Sequence, residues 1–141
     1  MSAIGSSLDA ITLFVSDIAA SKTFYNAILE RDPIFTDDVS AVFRLDHVII
    51  NLLAVTEAPE LVEPAGVATP VTVSALMTLG VSDCDAACAA LAAKGVEILN
   101  GPIDRPWGVR TAAFQDPDGH AWEIAQQLSP PPADGAPGTG Q

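Results

Sequence analysis

The stretch "TLFVSDIAASKTFYNA" (Thr12 to Ala27) returns later in the chain as "TLGVSDCDAACAALAA" (Thr78 to Ala93). Thr12, Leu13, Val15, Ser16, Asp17, Ala20 and Ala27 recur as Thr78, Leu79, Val81, Ser82, Asp83, Ala86 and Ala93, at constant spacing. Chance does not readily place the same "VSD" at the same strand-to-helix junction, so the pattern reads as an internal duplication. A chain of 141 residues holding two like modules has room for one domain with a buried core.

Each copy predicts a strand followed by a helix. Ile11 to Val15 is β-branched and apolar. Ser16 or Asp17 then caps a helix running to about Leu29, because its side-chain oxygen accepts from free N–H groups of the first turn. Ile18, Phe24, Tyr25, Ile28 and Leu29 are candidates for the inner stripe. The second helix spans Asp83 to Lys94, and Gly95 suits its C-terminal cap. Short strands follow each helix: Ile34–Phe35, Ala41–Leu45 and His47–Ala54 in the first copy; Val96–Leu99, Val109–Gln115 and Ala121–Gln126 in the second. "DPDG" is a turn, with Pro fixing φ and Gly supplying positive φ. Each half is therefore βαβββ.

The expected fold is α+β: two tandem βαβββ modules forming a cupped mixed sheet with helices outside. The domain covers residues 1–128, with modules at about 8–55 and 74–128. An acidic, Pro-rich connector occupies 56–73. The Pro- and Gly-rich end, 129–141, is expected to be a disordered tail.

A formal net charge of −12 with only six Lys and Arg argues against nucleic acid, which needs clustered cations. That charge suits solubility and would favour a cationic partner over an anionic one. No apolar run approaches the roughly 20 residues that span a bilayer, and no signal peptide is visible. Cys84 and Cys88 lie on one helix face, where a mutual disulfide is geometrically disfavoured and two ligands make a poor zinc site. They read as buried small residues, and a cytoplasmic protein follows.

The duplication, the "VSD" junction and the terminal "FQDPDGHAWEI" (Phe114 to Ile124) together resemble the vicinal oxygen chelate superfamily. This group includes glyoxalase I, extradiol dioxygenases, fosfomycin-resistance enzymes and bleomycin-resistance proteins. The resemblance covers about residues 8 to 128, and "DPDG" followed by Glu123 is its most specific piece. It implies two modules whose sheets curl into a half-open cup, and a homodimer that often exchanges modules. It also implies metal ligands on the first and last strands of each module, at Ala10, Asn51, Leu76 and Glu123. Only Glu123 keeps the usual ligand type. Ala10 and Leu76 have no donor and Asn51 is a weak neutral one, whereas a catalytic ion wants about three protein ligands. No metal and no other cofactor is therefore expected.

Strand alternation points Thr12 and Phe14 into the cup with position 10. His47 and Ile49 join Asn51; Thr78 and Gly80 join Leu76; Ala121 and Ala125 join Glu123. Family parity adds Val109, Thr111 and Ala113. Ile11, Leu13, Phe114 and Trp122 then form core. The result is a roomy, mostly apolar pocket with sparse polar groups, as small-molecule sites usually are. Trp107, in "DRPWGVR", can stack on a flat ligand or a cation from the rim, or simply pack its loop. The candidate ligand-binding residues are Thr12, Phe14, His47, Asn51, Thr78, Trp107, Thr111 and Glu123. No catalytic residue is singled out.

Glu123 is open to several readings: metal ligand, general base, ligand anchor, or a structural or solvent-facing acid. A carboxylate among aliphatics needs a partner to offset its desolvation: a ligand cation, a hydroxyl, Arg110 or Asn51. Three functions follow. The first is a metal-free binding protein of the bleomycin-resistance type, sequestering an aromatic or cationic natural product such as an antibiotic. The second is a lyase, isomerase or dioxygenase with an atypical metal site, or with Glu123 and His47 in acid–base roles. The third is an interaction module without a small-molecule role.

Overall fold

The computed structural model describes residues 3–68, 73 and 75–129. The chain divides into two compact units, Met1–Thr69 and Pro70–Gln141. Residues 130–141, nearly all of the expected tail, lie outside the described residues.

The first unit comprises β1 (Ala10–Val15), α1 (Ile18–Leu29), β2 (Phe35–Thr36), β3 (Ser40–Arg44) and β4 (Ile49–Ala54). These strands form a mixed sheet in the order β1-β4-β3-β2, in which only the β1–β4 pair is parallel. Asp17 starts α1 by accepting the Ala20 N–H at 3.1 Å. Alternation then sorts the sheet. Leu13, Val15, Ala41, Phe43, Ile50 and Leu52 are buried, as are Ser21, Tyr25 and Leu29 of α1. Each large apolar side chain so buried contributes about 1.5–3 kcal/mol. Ile18, Phe24 and Ile28 of the expected stripe are half-buried.

Strand β4 starts two residues later than the sequence suggests, which corrects the placement of His47. Leu45 N–H donates to Val48 O at 2.9 Å and closes the β3–β4 turn, so His47 sits exposed in that turn, off the strand. The connector also holds some structure: a 3₁₀ turn at Val55–Glu57 and the short helix α2 (Pro59–Val62).

The second unit repeats the plan with β5 (Leu76–Gly80), α3 (Cys84–Ala93), β6 (Ile98–Asp104), β7 (Val109–Gln115) and β8 (Ala121–Gln127), in the order β5-β8-β7-β6. Asp83 caps α3 by accepting from Ala86 N–H at 3.0 Å, and Gln126 Oε1 accepts from Cys84 N–H at 2.8 Å. Gly95, with φ of +84°, follows the helix as expected. Cys84, Cys88 and Leu91 are the buried residues of α3, and Trp122, Ile124, Ala112 and Phe114 are buried in the sheet. Burial pushes the Cys84 thiol up to about 11 and also raises Cys88. Both are free thiols.

Strand β6 is the largest departure from the sequence reading. "NGPIDRP" carries loop-forming residues, yet the strand runs through Gly101 and Pro102 to Asp104. Irregularities on either side of Asn100 absorb them, shifting the register against β7. Gly101 has φ of +91°, and a Cβ there would meet the Thr111 carbonyl oxygen and Ala112 Cα. Only glycine fits that approach.

Among the described residues, no helix is long and apolar enough to cross a membrane.

Candidate functional site

In each module the helix covers one sheet face, and the candidate residues that lie on strands, Thr12, Phe14, Asn51, Thr78, Thr111 and Glu123, are on the other. In the first module β1 and β4 run in register, pairing Ala10 with Ile49, Thr12 with Asn51 and Phe14 with Leu53. Val42 of β3 sits beside Asn51. The Asn51 amide donates to Thr12 Oγ1 at 3.4 Å, a long contact in an exposed setting. Phe14 is half-buried on the same face. The structure thus brings Thr12, Phe14 and Asn51 together and leaves His47 apart in its turn.

The second module has the equivalent row. Thr78 pairs with Glu123, and Ala113 of β7 lies on the other side of Glu123. Here the polar contact is short: Thr78 Oγ1 donates to Glu123 Oε1 at 2.9 Å. Glu123 is only 9% exposed. The hydroxyl is therefore its partner, and the other protein candidates are engaged elsewhere. Asn51 bonds Thr12. Arg110 points to the α3 side, where its guanidinium meets Asp104 at 2.7 Å and Asp85 at 3.0 Å. A carboxylate can accept several hydrogen bonds, so Glu123 keeps acceptor capacity toward a ligand.

Thr111 shares this face, one row along, paired with Ala125. It is almost fully buried and accepts from Arg105 Nε at 3.0 Å. Arg105 also donates through Nη2 to Asn100 Oδ1 at 3.4 Å. Neither Arg105 nor Asn100 is evident in the sequence, because the bulged β6 reads there as loop.

Trp107 occupies the tip of the β6–β7 hairpin. Arg105 N–H donates to Val109 O and Gly108 N–H to Arg105 O, leaving Pro106, Trp107 and Gly108 as a three-residue loop. Gly108 takes the positive φ (+93°) such loops need. The indole is half-buried, and its Nε1 is enclosed with no hydrogen-bond partner among the described residues.

"DPDGH" builds a second polar cluster at the β7–β8 turn. Buried Asp116 accepts from the Asp118 and His120 N–H groups at 2.9 and 2.8 Å, and its other oxygen meets His120 Nδ1 at 2.7 Å. This hydrogen bond raises the His120 pKa, against the opposing effect of partial burial. The cluster fixes the turn from which β8 presents Glu123.

The whole architecture has known counterparts. A model of the glyoxalase/bleomycin resistance protein/dioxygenase superfamily matches residues 7–124. The chain belongs to this superfamily. Among solved structures, a glyoxalase-related enzyme from Fulvimarina pelagi is 27% identical, covering 93% of this chain and 96% of its own, with a TM-score of 0.77. A glyoxalase/bleomycin resistance protein/dioxygenase from Nocardioides is 26% identical, covering 91% and 87%, with a TM-score of 0.79. A virulence protein from Salmonella typhimurium is 26% identical over 89% of this chain and 99% of its own, with a TM-score of 0.69. No curated protein matches the sequence.

The metal centre implied by the superfamily resemblance does not fit the donors present. Ala10 and Leu76 offer none, and Asn51 is a neutral amide already bonded to Thr12. Glu123 alone is a normal ligand. Among the described residues no three His, Cys, Asp or Glu side chains converge.

Proposed function

We propose that this protein binds a small molecule without a metal and sequesters it unchanged, as a homodimer in the cytoplasm. The favoured ligand is an aromatic or cationic natural product such as an antibiotic. The observation that carries this reading is the buried Glu123, held by the Thr78 hydroxyl on a sheet face whose neighbouring positions are mostly apolar, among them Ala113, Ala121 and Ala125, with no donor set for a metal beside it. The half-buried Trp107 offers an aromatic surface at a hairpin tip, and the net charge of −12 favours cations. The free buried thiols suit a reducing compartment.

The test combines metal content with ligand titration. Protein as isolated, and after incubation with Mn, Fe(II), Ni or Zn and desalting, should retain far less than one ion per chain. Intrinsic Trp fluorescence should titrate saturably with aromatic cationic antibiotics, which should be recovered chemically intact. Glu123→Gln should weaken binding roughly 10-fold or more, the usual size of a hydrogen bond to a charged group. One tightly held ion per chain, or conversion of the bound compound, would replace this reading with a lyase, isomerase or dioxygenase.

A further inference from the structure

Arg105 and Arg110 belong to the same hairpin and have opposite surroundings. Arg110 is neutralised by Asp85 and Asp104. Arg105 is oriented by two neutral acceptors, Thr111 and Asn100, and among the described residues no carboxylate pairs with it. Holding a cation with neutral groups fixes its direction without quenching its charge. Nε and Nη2 share one edge of the guanidinium, and that edge faces the two acceptors. The Nη1–Nη2 edge remains for a bidentate anion.

Thr111 lies on the same sheet face as Glu123, since Thr111 pairs with Ala125 and Ala113 with Glu123. The guanidinium is thus anchored over β6 and β7, and the Glu123 carboxylate lies on β8. Thr111 and Glu123 lie on neighbouring strands two residues out of register, roughly 8 Å apart, with the guanidinium on the β6 side of Thr111, so the two charges stand on the order of 10 Å from each other. The floor between them is small: Ala113, Ala121, Ala125 and, on β5, Gly80. Thr111, Ala121, Ala125 and Glu123 are buried, whereas Thr78 and Gly80 at one margin of this face and Asn100 at the other are exposed, so access is from the margins.

We infer that the second module's helix-free face takes a small zwitterion, with Arg105 holding its carboxylate or other oxyanion and the Glu123–Thr78 pair receiving its ammonium. This rests on the small-molecule reading above and specifies its ligand. The opposed charges also account for selection at longer range. A net charge of −12 opposes a purely anionic ligand, whereas a zwitterion approaches without that penalty. A bare cation would satisfy Glu123 and leave Arg105 unanswered.

The probes are 6-aminohexanoate, whose charges have the right separation, and hexanoate, hexylamine and hexanol as single-charge and neutral controls. Binding to the full chain is followed by amide chemical shifts of Thr78, Asn100, Thr111 and Glu123. The zwitterion should bind at least 10-fold more tightly than any control. Arg105→Gln should remove that advantage while leaving hexylamine unaffected, and Glu123→Gln should do the same while leaving hexanoate unaffected. If hexylamine or hexanol binds as well as the zwitterion, and Arg105→Gln changes nothing, the zwitterion assignment fails and the small-molecule reading stands. If no probe shifts this face at millimolar concentration, the zwitterion assignment fails, and the antibiotic titration above decides the small-molecule reading on its own.

Discussion

The two modules share a backbone plan and differ in what they place on the face away from the helix. The first presents Thr12 and Asn51, a neutral pair in long contact and partly exposed. The second presents Thr78 and Glu123 in short contact, the carboxylate largely desolvated although the hydroxyl is exposed, with Arg105 held on the same face by Thr111. The turns that lead into the last strands differ in the same sense. His47 stands exposed in a turn closed by backbone alone, whereas His120 is tied to buried Asp116. Duplication reproduced the scaffold, and the charged chemistry was concentrated in one copy. Polar interactions are strongest where water is excluded, which is why the proposed ligand is assigned to the more buried face.

The strongest way to break this comparison is at the turns. Asp116→Ala leaves two buried N–H groups and the His120 ring without their acceptor, and should cost about 2–4 kcal/mol by urea denaturation. The pH dependence should follow. His120 has a raised pKa in the folded protein because Asp116 accepts a hydrogen bond from the imidazolium and so favours its charged form. The added stability is therefore complete below the ordinary histidine value near 6.5 and lost as pH rises through the higher folded value. Unfolding free energies of wild type and His120→Gln, compared from pH 5.5 to 8.5, should converge toward the alkaline end. A difference that grows with pH would contradict this assignment.

The helix caps sharpen the comparison by predicting equality. Asp17→Ala and Asp83→Ala each remove one acceptor from the third residue of a helix, and each should cost about 1 kcal/mol. Clearly unequal costs would mean that Gln126, which caps only α3, compensates in the second module. At the small end, His47→Ala should change stability by no more than about 0.5 kcal/mol, as expected for an exposed side chain with no special contact.

Much of this was legible in the residues. The shared "VSD" junctions mark both helix starts, and alternation along the first and last strands of each module puts Thr12, Asn51, Thr78 and Glu123 on the face away from the helices, as the strand pairings do. Two things escaped. "HVIINLLA" reads as one strand from His47 because every residue after it except Asn51 is apolar, and nothing local marks where the turn ends and pairing begins. Arg105 was missed because "NGPIDRP" has the composition of a loop. A bulge is a tertiary solution: β6 stays paired because β7 supplies a rigid partner, and a long side chain then reaches its acceptors across strands. Sequence periodicity carries no signal for such a reach.

Gly101 gives that solution a genetic consequence. Every missense change there adds a Cβ, and any Cβ collides with the backbone that carries Thr111. Thr111 is one of the two acceptors that aim Arg105. The codon for a residue with no side chain is thus a point at which a lineage could lose the orientation of Arg105 while still encoding the arginine itself.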